Sequence, residues 1–195
     1  ERLDPEDRVS PERDDAGDII HEFQLENDMV DNPDDRVIST ITHALAWDTE
    51  NEWMWAVNTL DNRMIAINPN ENYRTEDFWM MDISRPWDMI YHDGTLYTLE
   101  SYNTWLVMWD MDGHNLGRLN LDCEGAIIYG LAFDPVNELI IVLGHRIVGR
   151  THPLFVFTIE GEQVASLDCI KHHFDNNMSL SIEWVPTHDF GKLWV

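Results

Sequence analysis

An all-β fold of repeated four-stranded antiparallel sheets is what this sequence predicts, and three observations predict it. A motif recurs. Ala46-Trp47-Asp48-Thr49-Glu50-Asn51-Glu52-Trp53 returns 86 residues later as Ala132-Phe133-Asp134-Pro135-Val136-Asn137-Glu138-Leu139. A shorter relative, Ile90-Tyr91-His92-Asp93-Gly94-Thr95-Leu96-Tyr97, lies midway, so the period is 43, and a looser fourth copy runs from Glu183-Trp184-Val185-Pro186 to Lys192-Leu193-Trp194-Val195. Between these motifs lie short apolar runs bounded by Gly, Asn, Asp and Pro, with no helical period among them, which is the pattern of strands and tight turns. A strand-rich repeat of about 40 to 50 residues is, finally, the sequence signature of a β-propeller blade.

The elements follow in order. Residues 1–16 are nearly all charged, Pro or Ser, with too little apolar surface to offset ordering entropy, and are expected to form a flexible acidic arm. Residues 17–25 read as the outer strand of a blade, and residues 26–40 as an acidic connection with a turn at Asn32-Pro33. Three complete blades are expected at about 41–82, 83–122 and 123–168, with a partial blade at 169–195. Asp134-Pro135 and His92-Asp93-Gly94 tie first strands to second ones. Asp112-Gly113 and Glu160-Gly161 tie third to fourth, where Gly supplies the positive φ that a tight hairpin demands. Two rings remain open: part of a ring of six or more blades, or four blades with the first strand completing the last. The larger ring is favoured, because the composite blade would lack a strand and leave an unpaired edge at Lys192–Val195.

Composition narrows the partners. The net charge is −25, from 37 acidic against 12 basic residues. Such a surface repels nucleic acid and anionic headgroups and attracts cations and basic or cationic proteins, although its ordinary reading is solubility or adaptation to high salt. Other protein chains as partners, in an oligomer or larger assembly, are expected from the incomplete blades and the edge at Lys192–Val195. No apolar run is long enough to span a membrane as a helix, so no membrane insertion is expected. Cys123 and Cys169 each follow Leu-Asp and read as equivalent points on successive blades, too far apart for a disulfide. Nine tryptophans fall mostly on strands, where core and inter-blade packing is their ordinary use.

Tyr129-Gly130-Leu131-Ala132-Phe133-Asp134-Pro135, followed by Leu139-Ile140-Ile141-Val142, resembles the inner hairpin of NHL- and YVTN-type β-propeller repeats. Ile159-Glu160-Gly161-Glu162-Gln163-Val164 is similar to their outer hairpin. The resemblance implies a fold and leaves function open, since such repeats serve secreted binding modules, scaffolds, lyases and lactonases. The second repeat departs from it with a shortened hairpin, the third with an insertion over Gly144 to Thr151, and the fourth with a loop over Ile170 to Ser179.

Aligning the inner strands gives one column of His43, Trp87, Tyr129 and Leu180, and a next column of Ala44, Asp88, Gly130 and Ser181. In enzymes of this family the channel mouth carries metal ligands or acid–base groups. His43 and Asp88 are the matching polar candidates here and Trp87 and Tyr129 stacking walls, so these four are the channel-rim binding candidates. Against this, small residues in the second column let inner strands converge, and aromatic ones in the first pack between blades. No catalytic set is expected: two polar residues fall short of the three protein ligands a catalytic metal usually has. No cofactor is predicted either. Ca²⁺ or another divalent metal stays open at His43 and Asp88, at Asp48, Glu50 and Glu52, at Asp28, Asp31, Asp34 and Asp35, and at His172-His173 with Asp175, none of which has EF-hand spacing. His145 and His152 read as polar loop residues. The expectation is a non-catalytic binding or scaffold module, extracellular or at a cell surface, with a metal-dependent propeller lyase or lactonase as the alternative.

Overall fold

The structure is a computed structural model, and it describes residues 42–58, 62–71, 74–83, 86–100, 104–146, 151–170, 182–185 and 193–194. The chain divides into two compact units, Glu1–Ile38 and Ser39–Val195, and every described residue belongs to the second. The arm expected at 1–16, the strand expected at 17–25, His172, His173 and Asp175 lie outside the described residues, as do Asp28, Asp31, Asp34 and Asp35.

The described unit is built from antiparallel hairpins in series. The first sheet takes β1 (Thr42–Asp48), β2 (Trp53–Asn58), β3 (Arg63–Asn68) and β4 (Arg74–Met80) in that spatial order. The second takes β5 (Pro86–His92), β6 (Thr95–Glu100), β7 (Trp105–Trp109) and β8 (Asn115–Asn120). The third takes β9 (Ile127–Asp134), β10 (Leu139–His145), β11 (His152–Thr158) and β12 (Gln163–Ile170). A two-stranded sheet of β13 (Glu183–Trp184) and β14 (Leu193–Trp194) follows. Among the described residues a 3₁₀ turn at Pro69–Glu71 interrupts the strands, and no helix is long and apolar enough to cross a membrane.

The sheets stack face to face through their first strands: β1 lies against β5, β5 against β9 and β9 against β13. Strand alternation therefore gives the second and third sheets two buried faces rather than one. Ala44, Ala46, Trp55, Val57, Met64 and Ala66 of the first sheet meet Met89, Tyr91, Leu96, Val107 and Trp109 of the second. The other face of the second sheet, with Ile90, Tyr97, Leu99 and Leu106, meets Leu131, Ile140, Val142, Phe155 and Phe157. Ala132, Ile141, Leu143 and Leu154 then meet Ile182, with Trp184 and Leu193 packed alongside. This is an all-β arrangement of radially repeated four-stranded sheets, the β-propeller architecture.

The recurring motif explains the inner hairpins. Asp48 Oδ1 accepts the backbone N–H groups of Glu50 at 2.9 Å and Asn51 at 3.0 Å, and Oδ2 accepts Asn51 Nδ2 at 2.9 Å and Trp55 Nε1 at 3.4 Å. Asp134 repeats the scheme, accepting from Val136 N–H at 3.0 Å and Asn137 Nδ2 at 2.6 Å. Glu52 and Glu138 then close the two turns in the left-handed region, at φ of 57° and 54°. Burial pushes the Asp48 carboxyl upward, but its hydrogen bonds from Asn51, Glu50 and Trp55 together outweigh that and hold it below the usual range.

Two glycines in the outer hairpins are fixed by packing as well as by φ. Gly113 sits at φ 83°, and a Cβ there would stand 2.6 Å from the Trp79 ring of the first sheet. Gly161 sits at φ 88°, and its Cβ would stand 2.7 Å from Leu119 of the second. Each outer turn thus nests on the last strand of the preceding sheet. Pairing slips by one residue at Glu76 on β4, Leu116 on β8 and Val164 on β12, so the outer strands bulge at matching places. A bulged edge is a poor template for further pairing, which is how Leu116 and Val164 tolerate exposure.

Candidate functional site

The inner strands carry a second series of bulges, at the opposite end from the Asp48 and Asp134 turns. On β1, Thr42 pairs with Asn58 and Ala44 with Val57, so His43 is the additional residue. On β5, Pro86 pairs with Glu100 and Asp88 with Leu99, leaving Trp87. On β9, Ile128 pairs with Gly144 and Gly130 with Leu143, leaving Tyr129. The column His43, Trp87 and Tyr129 is therefore a series of equivalent β-bulge residues. A bulge re-aims a side chain out of the regular ladder, and bulges concentrate beside functional sites. The His43 side chain lies outside what the structure describes.

The Trp87 and Tyr129 rings meet edge to face, 6.2 Å apart at 77°. Tyr129 continues to His145 at 6.1 Å and 66°, and His145 stacks on His152 at 4.8 Å and 31°. Four rings thus form one series across the second and third sheets. His145 and His152 are not loop residues, as the sequence suggests. They end β10 and begin β11, and Arg146 bridges to Thr151 just beyond them. Ring stacking and a continued ladder prevail there over the polar character of the segment. His152 is buried, and His145 Nδ1 is buried without a hydrogen-bond partner among the described residues.

Asp88 holds the second sheet to the third. Its Oδ1 accepts the N–H of Met89 at 2.9 Å, and its Oδ2 accepts the N–H of Leu131 at 2.7 Å, one full period of 43 residues away. Hydrogen bonds from backbone amides to a carboxylate are among the stronger ones a protein makes. Gly130 occupies the corresponding place on β9, where a Cβ would stand 2.9 Å from Ile182 Cγ2, so the third and fourth sheets approach there without a side chain between them. Ala44 is buried at the matching point of β1.

Among the other acidic groups, Asp48 is committed to its turn, and Glu52 accepts from Asn70 Nδ2 at 3.2 Å. Asp110, Asp112 and His114, in the β7–β8 turn, bring ligand atoms within 4.8 Å of one another. Asp110 Oδ1 there accepts the N–H groups of Asp112 at 3.0 Å and His114 at 2.8 Å, and Oδ2 meets His114 Nδ1 at 2.9 Å. The His114 amide, foremost, holds the Asp110 carboxyl below the usual range. The sequence Asp110-Met111-Asp112-Gly113-His114 carries that grouping openly, although it reads first as a turn.

The ring series offers aromatic faces for stacking or for a cation. Its two imidazoles supply nitrogen ligands, one fewer than the three protein ligands of a catalytic metal site. No family model matches the sequence, and no curated protein matches it. Solved structures do resemble the fold. Hydrazine synthase from Kuenenia stuttgartiensis superposes with a TM-score of 0.51 at 9% identity, over 64% of this chain and 36% of that one. A chain of a nidogen/laminin complex superposes with a TM-score of 0.54 at 14% identity, over 74% of this chain and 52% of that one. This chain therefore spans between about a third and about half the length of those it resembles. Its sheets and theirs share the β-propeller fold.

Proposed function

We propose that this chain is a binding or scaffold module of NHL/YVTN type, whose rim engages other protein chains or a ligand. One observation carries the reading: the same bulge at the same point of three inner strands, bearing His43, Trp87 and Tyr129. The repeat could build its sheets without that bulge; its recurrence with a histidine and two aromatics fits a selected rim. Asp88, the polar neighbour, has both oxygens on backbone amides, which suits a supporting role better than proton transfer. The nidogen/laminin chain belongs to a protein–protein complex, which agrees with protein partners for this fold. The −25 charge favours basic partners in an extracellular or cell-surface setting.

An arginine-rich peptide is the probe, followed by calorimetry. Binding is expected to weaken with salt, and to weaken by about tenfold or more in Trp87→Ala or Tyr129→Ala, as for an aromatic anchor. Unchanged affinity in both variants would remove the rim from the proposal. The stacked His145–His152 pair favours a second reading, a divalent metal at the rim of a propeller enzyme of lyase or lactonase type. Stoichiometric Zn²⁺ or Ni²⁺ surviving dialysis in the parent chain, and lost in His145→Ala, would support it.

A further inference from the structure

The two outer turns that nest on a neighbouring sheet are built alike. In the second sheet Asp110 N–H donates to His114 O at 3.1 Å, and Gly113 N–H to Asp110 O at 3.1 Å. In the third, Thr158 N–H donates to Glu162 O at 2.9 Å, and Gly161 N–H to Thr158 O at 2.9 Å. An apolar residue and an acid precede each glycine, as Met111-Asp112-Gly113 and Ile159-Glu160-Gly161. Met111 packs on the core between the first and second sheets, and Ile159 on the core between the second and third. The seats are equivalent as well. Trp79 pairs with Met64, Leu119 with Leu106, and Leu167 with Leu154. Directly paired residues share a face of the sheet. Leu167 therefore stands where Trp79 and Leu119 stand, on the face that Leu154 turns to Ile182. Gly113 fills the first seat and Gly161 the second. Leu167 is 59% exposed. Ala165 beside it is exposed and Val156 partly buried, whereas Met108, the equivalent of Val156, packs on the core shared with the third sheet.

We infer that Leu167, with Val156 and Ala165, forms a docking surface for a β-turn of sequence apolar–Asp/Glu–Gly carried by another protein. A lone exposed leucine is ordinary on a protein surface. This one holds a position that serves as a contact at both of its equivalents, and those contacts define the occupant. In each, a glycine at positive φ lays its bare Cα on the seat, where a Cβ would stand 2.6 Å from Trp79 or 2.7 Å from Leu119. The apolar residue two places earlier fills the groove beside it. A turn with both features fits the third seat, and a turn with a side chain in place of the glycine does not. The surface also continues an interface already present. Ile182, Trp184 and Leu193 cover the inner part of this face. The occupant accordingly reaches only the outer strands, as the Gly113 and Gly161 turns do.

Fluorescence anisotropy tests this with the whole chain and two labelled peptides closed head to tail, residues 107–118 and residues 155–166. The ends of each are paired in the fold, Val107 with Arg118 and Phe155 with Ser166. Each peptide is expected to saturate the chain at one site per molecule and to displace the other. Leu167→Asp, at an exposed position, is expected to weaken both by about tenfold or more. Val136→Asp, at an exposed inner turn, serves as the control that leaves both unchanged. Within the first peptide, Gly113→Ala is expected to weaken binding by about tenfold or more, since it meets the seat and the positive φ together. Met111→Ser keeps the glycine turn, guards against loss of the hairpin, and is expected to act in the same direction. Absence of saturable binding by either peptide overturns the inference. So do peptides that bind the Leu167→Asp chain as well as the parent, and binding indifferent to both changes in the turn. None of these variants touches the ring series, so failure here leaves the rim proposal standing.

Discussion

Asp48 shows how much one side chain of this repeat carries. It is fully buried, yet it stays charged, because two backbone amides, an asparagine amide and an indole N–H all point at it. Tyr91 from the second sheet approaches the same carboxylate. Burial first, and then the Asp48 charge, pushes the Tyr91 hydroxyl up to about 12. Replacing Asp48 by Ala strands those donors, and the expected cost is about 1–3 kcal/mol in urea melts. The sign with pH follows from the lowered carboxyl. Its stabilisation is present above the ordinary aspartate value of about 3.9 and disappears as pH falls through the lower folded value. The acid transition of the parent chain is therefore expected to be steeper than that of Asp48→Asn, which keeps the shape and loses the charge. Equal acid transitions would show that other carboxylates dominate. The position was legible in the sequence, since the Asp-x-x-Asn spacing at 48–51 and 134–137 marks the turn. Its indole partner, Trp55, was not, because that bond depends on the hairpin register.

At the scale of the element, strands and turns were legible where the period holds. The outer glycine turns at Gly113 and Gly161 join third strands to fourth ones, where the motif places them. The third repeat extends further than its composition suggests: β10 runs to His145 and β11 begins at His152, because stacking of the two imidazoles continues the ladder into a polar segment. The column of His43, Trp87 and Tyr129 was readable as aligned residues. That His43, Trp87 and Tyr129 are bulges was not, since a slip of one residue is a property of strand pairs rather than of either sequence. The outer turns give a sharp test. Gly113→Ala faces both a positive φ and a Trp79 ring 2.6 Å from the new Cβ. The expected loss is about 1–3 kcal/mol, from overpacking alone, with more from the backbone. Gly94, at φ 68° with nothing near its Cβ, should lose less on the same change. Equal losses at the two sites would mean that φ, and not the nesting contact, sets the cost.

For the whole molecule, the sequence conveyed architecture well and its contacts poorly. Repetition announces itself in one dimension. The Trp87–Tyr129–His145–His152 series joins four strands of two sheets, and no spacing encodes it. Net charge acts at this scale too. A chain at −25 repels itself when compact, so its melting temperature is expected to rise with NaCl before any specific ion effect enters. A melting temperature that falls with added salt would show that favourable ion pairs, such as that of Arg146 with Glu124, outweigh the general repulsion.

The nesting of Gly113 on Trp79, and of Gly161 on Leu119, has a direction. Each turn rests on a sheet that lies earlier in the chain. A ribosome releasing this polypeptide from its N-terminal end would therefore present both of these outer hairpins with a seat already built. Deletions are accordingly unequal: losing the first sheet takes away the seat of the second, whereas losing the third leaves the Gly113 turn before it still seated.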